Sequence, residues 1–313
     1  MRVSQEWLGD FVDLEGLTPG RIADLLTLSG TEVERILDFG AGLDQVVVAE
    51  VAELARLADS DHLWMTKVRV PGEEPVDVVC GAQNLTPGAV VAWARPGTEL
   101  PGGMRLGQRR IRGALSNGMI CAPDELGLGA EHDGVLILPE GEAELGAPLS
   151  RIFPLDTVYE LEILSHRGDC LSHWGVAREL AAVADRRLRP PELGEPERSG
   201  PPASQSVAVQ VESAADCPVY LAECVDQLAA GASPLWLQRR LMAVGARSIS
   251  AVVDLANYVM LDLGQPVHTF DLDRLGGASE ALPITVRRGR AGESLAGLDG
   301  ERRPVQGALV IAA

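Results

Sequence analysis

Apolar residues first recur at helical spacing in IADLLTLSG, residues 22–30. Thr18 ahead of Pro19 reads as a cap followed by a first helical residue. Ile22, Leu25, Leu26 and Leu28 are expected to form the buried face, with Gly30 ending the helix. VERILDF (33–39) then reads as a strand and GAGLD (40–44) as a hinge. From 46 to 138 the pattern changes to short β-rich runs, VVVAEVAEL, LWMTKVRV, VDVVCGA and AVVAWA, parted by turns such as VPGEEP and LTPG. About five strands in roughly 110 residues fit a small barrel, which GVLILPE (134–140) closes.

Helical character returns after TVYELEIL (157–164), a strand, in LSHWGVARELAAVADR (171–186). Trp174, Val176, Ala177, Leu180, Ala181 and Val183 are expected to make its apolar face. RRLRPPELGEPERSGPPASQS, 186–206, is rich in Pro, Gly, Ser and charge and reads as a linker. Beyond it VAVQVES and VYLAECV read as strands. Ser233 and Pro234 repeat the cap signature before LWLQRRLMAV, and Ser250 is expected to cap a second helix reaching about Leu263. PITVRR resumes strand character, and GALVIAA (307–313) is a bare apolar run. An unpaired edge invites aggregation, so the natural chain is expected to continue past it.

Composition narrows the field. A chain of 313 residues suggests two or three domains. With 46% hydrophobic and only 4% aromatic residues, aliphatic packing must build the cores. The formal net charge of −18 argues against nucleic-acid binding through the general field, though not against a local basic patch. Lys67 is the only lysine, so nearly every cation is arginine, the better phosphate fork. Cys80, Cys121, Cys170, Cys217 and Cys224 are scattered, with no C-x-x-C and no histidine pair at ligand spacing, so a metal site is not expected. Reduced thiols suit a cytoplasmic protein. The N-terminus lacks an apolar signal core, and no apolar run is long enough to span a bilayer.

Two places could carry chemistry. In PGGMRLGQRRIRG (101–113), Arg105, Arg109, Arg110 and Arg112 stand together without an acid. Such a local charge reversal suits an RNA backbone; a solvated strand face paired with nearby carboxylates is the alternative. Arg247 precedes the second of the late helices, and His268 follows its end in GQPVHTFD. A helix of roughly 13 residues is ~20 Å long, so spacing alone does not join the two. His268 could position a water or hydrogen-bond an ester oxygen, or could pack at a corner. His62, His132, His166 and His173 read as turn or surface residues. GAGLD and GLGAEHDG lack the strand–helix setting of a phosphate loop, and there is no G-x-S-x-G elbow.

Taken together, these blocks resemble the N-terminal part of the bacterial phenylalanyl-tRNA synthetase β chain. EWLGDFVDL and ADLLTLSGTEVE look like its first module. VVCGAQNLTPGAVVAWARPGTELPGGMRL, IRGALSNGMICAPDELGL and EHDGVLILPE look like its inserted tRNA-binding barrel. ELEILSHRGDCLSHWGVARELAA resembles the return to the first module. SPLWLQRRL, VVDLANYVMLDLGQPVHTFDLDRL and LAGLDG resemble its editing domain. Three stretches depart from the usual pattern: His166-Arg167-Gly168-Asp169 stands for Asn-Arg-Pro-Asp, Ala251 for Asn, and Thr269 for Ala in His-Ala-Phe-Asp. Ala251 removes a hydrogen-bonding side chain near the implied pocket.

The resemblance implies an α+β multidomain chain. A scaffold module over 1–39 with 151–190 would carry an inserted OB-type β-barrel over 40–150. A linker at 191–206 would lead to the first part of an α+β editing domain over 207–313. It implies tRNA(Phe) as a partner, contacted through Arg105, Arg109, Arg110 and Arg112. It also implies an α chain in an α2β2 heterotetramer that holds the aminoacylation site and uses ATP and Mg2+. No cofactor is expected in this portion. Arg247 and His268 would line a pocket hydrolysing mischarged Tyr-tRNA(Phe), and the carboxylate that reads the tyrosine hydroxyl would fall after Ala313. The rivals are a non-enzymatic tRNA-binding protein and an architectural piece with a degenerate pocket.

Overall fold

The computed structural model describes the whole chain except residues 59, 140, 229–230, 277–280, 298 and 313. It forms two compact units: Met1–Glu192 with Ala230–Val267, and Leu193–Ala229 with His268–Ala313. The first unit opens with β1 (Arg2–Ser4) running into α1 (Gln5–Leu8), where the Ser4 hydroxyl accepts from Trp7 N at 3.0 Å and caps the turn. α2 (Pro19–Leu28) starts as its sequence predicts, with Thr18 Oγ1 accepting from Arg21 N at 3.3 Å. Ile22, Leu25 and Leu26 are buried, but Leu28 is 82% exposed. At 3.6 residues per turn it lies roughly 110° from the centre of the face the other three share. β2 (Glu32–Phe39) matches the expected strand.

The barrel strands follow: β3 (Val46–Arg56), β4 (Trp64–Arg69), β5 (Val76–Cys80), β6 (Val90–Ala94), β7 (Gln108–Ile111), β8 (Ala114–Asn117), β9 (Met119–Ile120) and β10 (Ile137–Leu138). Six of them make a barrel-like antiparallel sheet, ordered β10-β6-β3-β4-β5 with β9 also on β6. Ala49, Val51, Val68, Val78, Val91 and Trp93 pack together in one core. Val46, Val48, Ala92 and Ala94 point the other way, as period-2 alternation requires, into a core with Leu43, Leu149 and Phe153. Gly118 leads into β9 with φ 82°, and a Cβ there would lie 2.1 Å from the Ala94 carbonyl oxygen. Only glycine permits that approach.

β11 (Asp156–Glu162) then pairs antiparallel with both β1 and β2, giving the order β1-β11-β2. The barrel is therefore an insertion between two adjacent strands of the first sheet, the α+β architecture the sequence implied. α3 (His173–Val183) is capped by Ser172, whose hydroxyl accepts from Gly175 N at 3.0 Å. Val176, Ala177, Leu180 and Ala181 are buried, whereas Val183 is 40% exposed at the fringe of that face. His173, expected at the surface, is wholly buried. Its ring stacks on Trp7 at 3.9 Å, and Trp7 stacks in turn on Tyr258 at 4.8 Å. Tyr258 lies on α5 (Ala251–Leu263), which follows α4 (Leu235–Ala243). Both helices belong to the first unit: Ala243 joins the barrel-side core, and Tyr258 and Leu261 pack on the core around Trp7.

The second unit contains β12 (Val207–Val211), β13 (Leu282–Arg288), β14 (Ser294–Ala296), β15 (Arg302–Pro304) and β16 (Leu309–Ala312). β13 is central, parallel to β12 and antiparallel to β16. VYLAECV departs from expectation, with no strand and with Val219, Leu221 and Val225 exposed by 71%, 85% and 68%. A strand needs a ladder partner for its backbone groups, and among the described residues this segment has none. Of the sequence blocks read above, Glu140 in GVLILPE, Leu298 in LAGLDG and Ala313 in GALVIAA lie outside the described residues. Among the described residues no helix is long and apolar enough to cross a membrane.

Candidate functional site

β7 and β8 form a hairpin with Gln108 opposite Asn117, Arg109 opposite Ser116 and Arg110 opposite Leu115. Arg112 (φ 47°) and Gly113 (φ 84°) make its two-residue connection, both left-handed as a type I′ turn demands. Arg110 Nη1 donates to the Gly113 carbonyl at 3.1 Å and stiffens the tip. Arg109, Arg110 and Arg112 are thus gathered on one hairpin, and Arg105 lies in the preceding loop; all four are exposed. Among the described residues no carboxylate pairs with Arg105, Arg109 or Arg110, so the reading of a charge-paired strand face fails for these three. These three keep their positive field on an acidic chain.

The hairpin is a two-stranded sheet separate from the barrel sheet. Side chains fasten it there. Ser116 Oγ accepts from Val79 N at 3.0 Å, and Asn117 Nδ2 donates to the Asp77 carbonyl at 3.0 Å. Gln108 Nε2 donates to Asn117 Oδ1 at 2.7 Å, and Trp93 Nε1 donates to the Asn117 carbonyl at 2.9 Å. Sequence reasoning missed Ser116 and Asn117, since their partners lie 37 and 40 residues away. Lys67 Nζ bonds Asp77 Oδ1 at 3.0 Å, which raises the lysine pKa and keeps the ammonium charged.

Arg247 is exposed, and its Nε lies 4.0 Å from Glu131 Oε1 on the barrel. The turn that carries it is organised by Asp254, which is wholly buried. Its carboxylate accepts from the Ser233 hydroxyl, from Ser248 Oγ at 2.6 Å and from Ile249 N at 2.8 Å. Ser233 is therefore diverted from its expected capping role. The barrel residue Glu142 does that work instead, Oε2 accepting from Leu235 N at 2.9 Å at the start of α4. Ser250 stands at the cap position of α5 but makes no side-chain cap bond.

The division between units falls between Val267 and His268, so Arg247 belongs to the first unit and His268 to the second. Within its unit His268 is exposed, its ring edge-on to Phe270 with centroids 4.6 Å apart.

Of the remaining titratable groups, Asp169, Cys170 and Glu179 have ligand atoms within 4.8 Å of one another. Arg167 occupies that position: its guanidinium grips both Asp169 oxygens at 2.9 Å and reaches Glu179 at 2.9 Å. The bond from Arg167 holds the Asp169 carboxyl near a pKa of about 2. A cation already fills the group, as a side chain. His132 Nδ1 bonds Asp124 at 2.9 Å on the exposed barrel surface, and His62 and His166 are exposed as expected.

Residues 46–148 match the family model of a tRNA binding domain, and 216–313 match that of the B3/4 domain. The phenylalanine–tRNA ligase beta subunit of Geobacter sulfurreducens is 45% identical over 304 residues, 97% of this chain and 37% of the relative. That of Anaeromyxobacter dehalogenans is 43% identical over 98% of this chain and 37% of its own length. That of Symbiobacterium thermophilum is 40% identical over 100% of this chain and 35% of its own. Over nearly its whole length the chain is similar to phenylalanine–tRNA ligase beta subunits. It corresponds to an N-terminal portion and spans little more than a third of these relatives. The arginine hairpin lies inside the tRNA-binding match, as do Glu131 and Glu142. α4, α5 and Arg247 lie inside the B3/4 match, yet pack in the first unit with the barrel.

Proposed function

We propose that this chain serves as the N-terminal part of the β subunit of phenylalanine–tRNA ligase, binding tRNA(Phe) through its barrel and contributing to hydrolytic editing of Tyr-tRNA(Phe). The exposed arginine hairpin within the tRNA-binding match carries the reading: a charge-reversed patch on a chain of net charge −18. Arg105, Arg109, Arg110 and Arg112 would neutralise backbone phosphates. The barrel interface would position the RNA, with Lys67 on a neighbouring strand.

Editing answers a chemical problem. Tyrosine differs from phenylalanine by one hydroxyl, and an apolar pocket rejects an added hydroxyl only ~100-fold in comparable cases. The misacylated ester is already activated, so a hydrolytic site needs a placed water and donors for the developing oxyanion. Arg247 would supply such a donor and His268 would position the water. In this reading the assembly is an α2β2 heterotetramer in the cytoplasm. Aminoacylation with ATP and Mg2+ belongs to the α chain, and the 1–39/151–190, 40–150 and 207–313 segments act as scaffold, tRNA-binding and editing parts.

The test of the tRNA-binding half is the triple change of Arg109, Arg110 and Arg112 to Ala. It should weaken binding of a tRNA(Phe) transcript and lower the log–log salt slope by up to about three, roughly one per lost phosphate contact. Unchanged affinity and slope would take the hairpin out of the RNA interface.

A further inference from the structure

We infer that Ser116 and Asn117 are positioning residues for RNA binding: they fix the orientation in which the arginine hairpin meets the RNA. The inference rests on the tRNA-binding reading and specifies how that site is built. β8 lies beside the barrel strand β5, yet no strand ladder joins them. In place of a ladder, the Ser116 hydroxyl takes the β5 amide at Val79 and the Asn117 amide takes the β5 carbonyl at Asp77. A third bond, from Gln108 to Asn117 Oδ1, ties β7 into the same joint. Trp93 from β6 closes it through the Asn117 carbonyl. Ser116 is 2% exposed, so its hydroxyl acts inside the protein and not on a ligand.

The mechanical consequence follows from the geometry. Arg109 is the register partner of Ser116, and Arg110 that of Leu115 beside it, so the arginines project from the strand pair that the joint orients. A two-stranded hairpin is only marginally stable on its own. Without the joint it would swing against the barrel while keeping all of its charges. Binding would then carry the added cost of ordering the hairpin, whereas the number of phosphates neutralised once bound would stay the same.

That separation supplies a test which a simple structural role does not pass. In the full chain, Asn117→Leu keeps the side-chain size and the charge of the hairpin but removes the donor to Asp77 and the acceptor for Gln108. Ser116→Ala removes the acceptor for Val79, and Ser116→Thr retains a hydroxyl. Binding of a tRNA(Phe) transcript is measured across a salt series, with folded fraction taken from melting curves of the same preparations. Asn117→Leu and Ser116→Ala should each raise Kd about tenfold per folded molecule with the salt slope unchanged, and Ser116→Thr should recover most of the loss seen with Ser116→Ala. A slope that falls with affinity would make these residues direct contacts and overturn the inference. So would affinity per folded molecule equal to the wild type. If the wild-type chain does not bind the transcript, or the triple arginine change leaves its affinity and slope intact, the tRNA-binding reading itself falls, an outcome distinct from failure of the joint.

Discussion

The imidazole of His173 stacks on the indole of Trp7, with centroids 3.9 Å apart and planes 18° from parallel. Its nitrogens are both used: Nε2 accepts from Ser4 N at 3.1 Å, and Nδ1 donates to the Leu261 carbonyl at 2.8 Å. Trp7 Nε1 in turn donates to Asp262 at 2.6 Å. One ring therefore joins the first strand, α3 and α5, and only the neutral imidazole can accept from Ser4.

This joint predicts an acid-sensitive fold. Burial, first, and then the positive Arg240 guanidinium lower the His173 pKa from 6.5 to about 3. The unfolded chain binds the proton below about 6.5 and the folded chain does not until about 3. Stability from this group is thus fully present above pH 6.5 and is lost as pH falls, by about 1.4 kcal/mol per unit across that window. His173→Gln should remove this slope while lowering stability at pH 8, where Leu261 or Ser4 is left with a poorer partner. The difference between wild-type and variant urea midpoints from pH 8 to pH 4 isolates the group. Parallel curves would show that His173 is not held neutral.

Gly118 and Gly113 separate backbone strain from collision. Both have φ near the left-handed region, 82° and 84°, but an added Cβ at Gly113 meets nothing within 4 Å, whereas at Gly118 it meets Ala94 O at 2.1 Å. Gly113→Ala should cost about 1 kcal/mol, and Gly118→Ala more than about 2 kcal/mol with visible misfolding. Equal melting temperatures for the two variants would contradict the close approach of β9 to β6.

Much of the fold is legible locally, and the failures share a cause. Thr18-Pro19 and Ser233-Pro234 carry the same cap signature. The first behaves as written, because Thr18 has no stronger partner than Arg21 N. The second does not, because Asp254, 21 residues on, takes the Ser233 hydroxyl, and Glu142, 93 residues back, caps the helix. A charged acceptor outcompetes a neutral backbone donor's usual cap, and sequence spacing does not reveal it. His173 is misread for the same reason: its burial depends on Trp7, far away in the chain. VYLAECV has the composition of a strand, but strand formation is decided by a partner that composition cannot name. The arginine block of the hairpin was visible as charge; its Ser116–Asn117 attachment was not.

Asp254 should therefore matter more than any single cap. Asp254→Ala leaves the Ser233 and Ser248 hydroxyls and the Ile249 amide without their acceptor in a buried site, a cost of about 2–4 kcal/mol. Glu142→Ala, at an exposed helix start, should cost only about 0.5–1 kcal/mol. Amide exchange gives the sharper readout: the Ile249 amide should lose protection in Asp254→Ala and keep it in Glu142→Ala. Retained protection of Ile249 in Asp254→Ala would mean that the carboxylate does not organise the Arg247 turn.

The last prediction concerns Arg247 and His268 themselves, assayed in a ligase assembled with this sequence as the N-terminal part of its β chain. His268→Ala should leave Phe-tRNA synthesis nearly intact, since in the proposed assembly that chemistry lies in the α chain. Hydrolysis of Tyr-tRNA(Phe) should fall, because a group that positions water where charge develops is removed. Arg247→Ala should act alike, and the double change should cost less than the sum if both serve one pocket. Neither side chain is buried, so loss of either should barely move the melting temperature, within about 0.5 kcal/mol of stability. Melting temperature and Tyr-tRNA(Phe) hydrolysis are measured on one preparation of each variant. A destabilised His268→Ala whose hydrolysis per folded molecule is unchanged would make His268 a packing residue beside Phe270. Fully additive losses would place the two residues in separate steps.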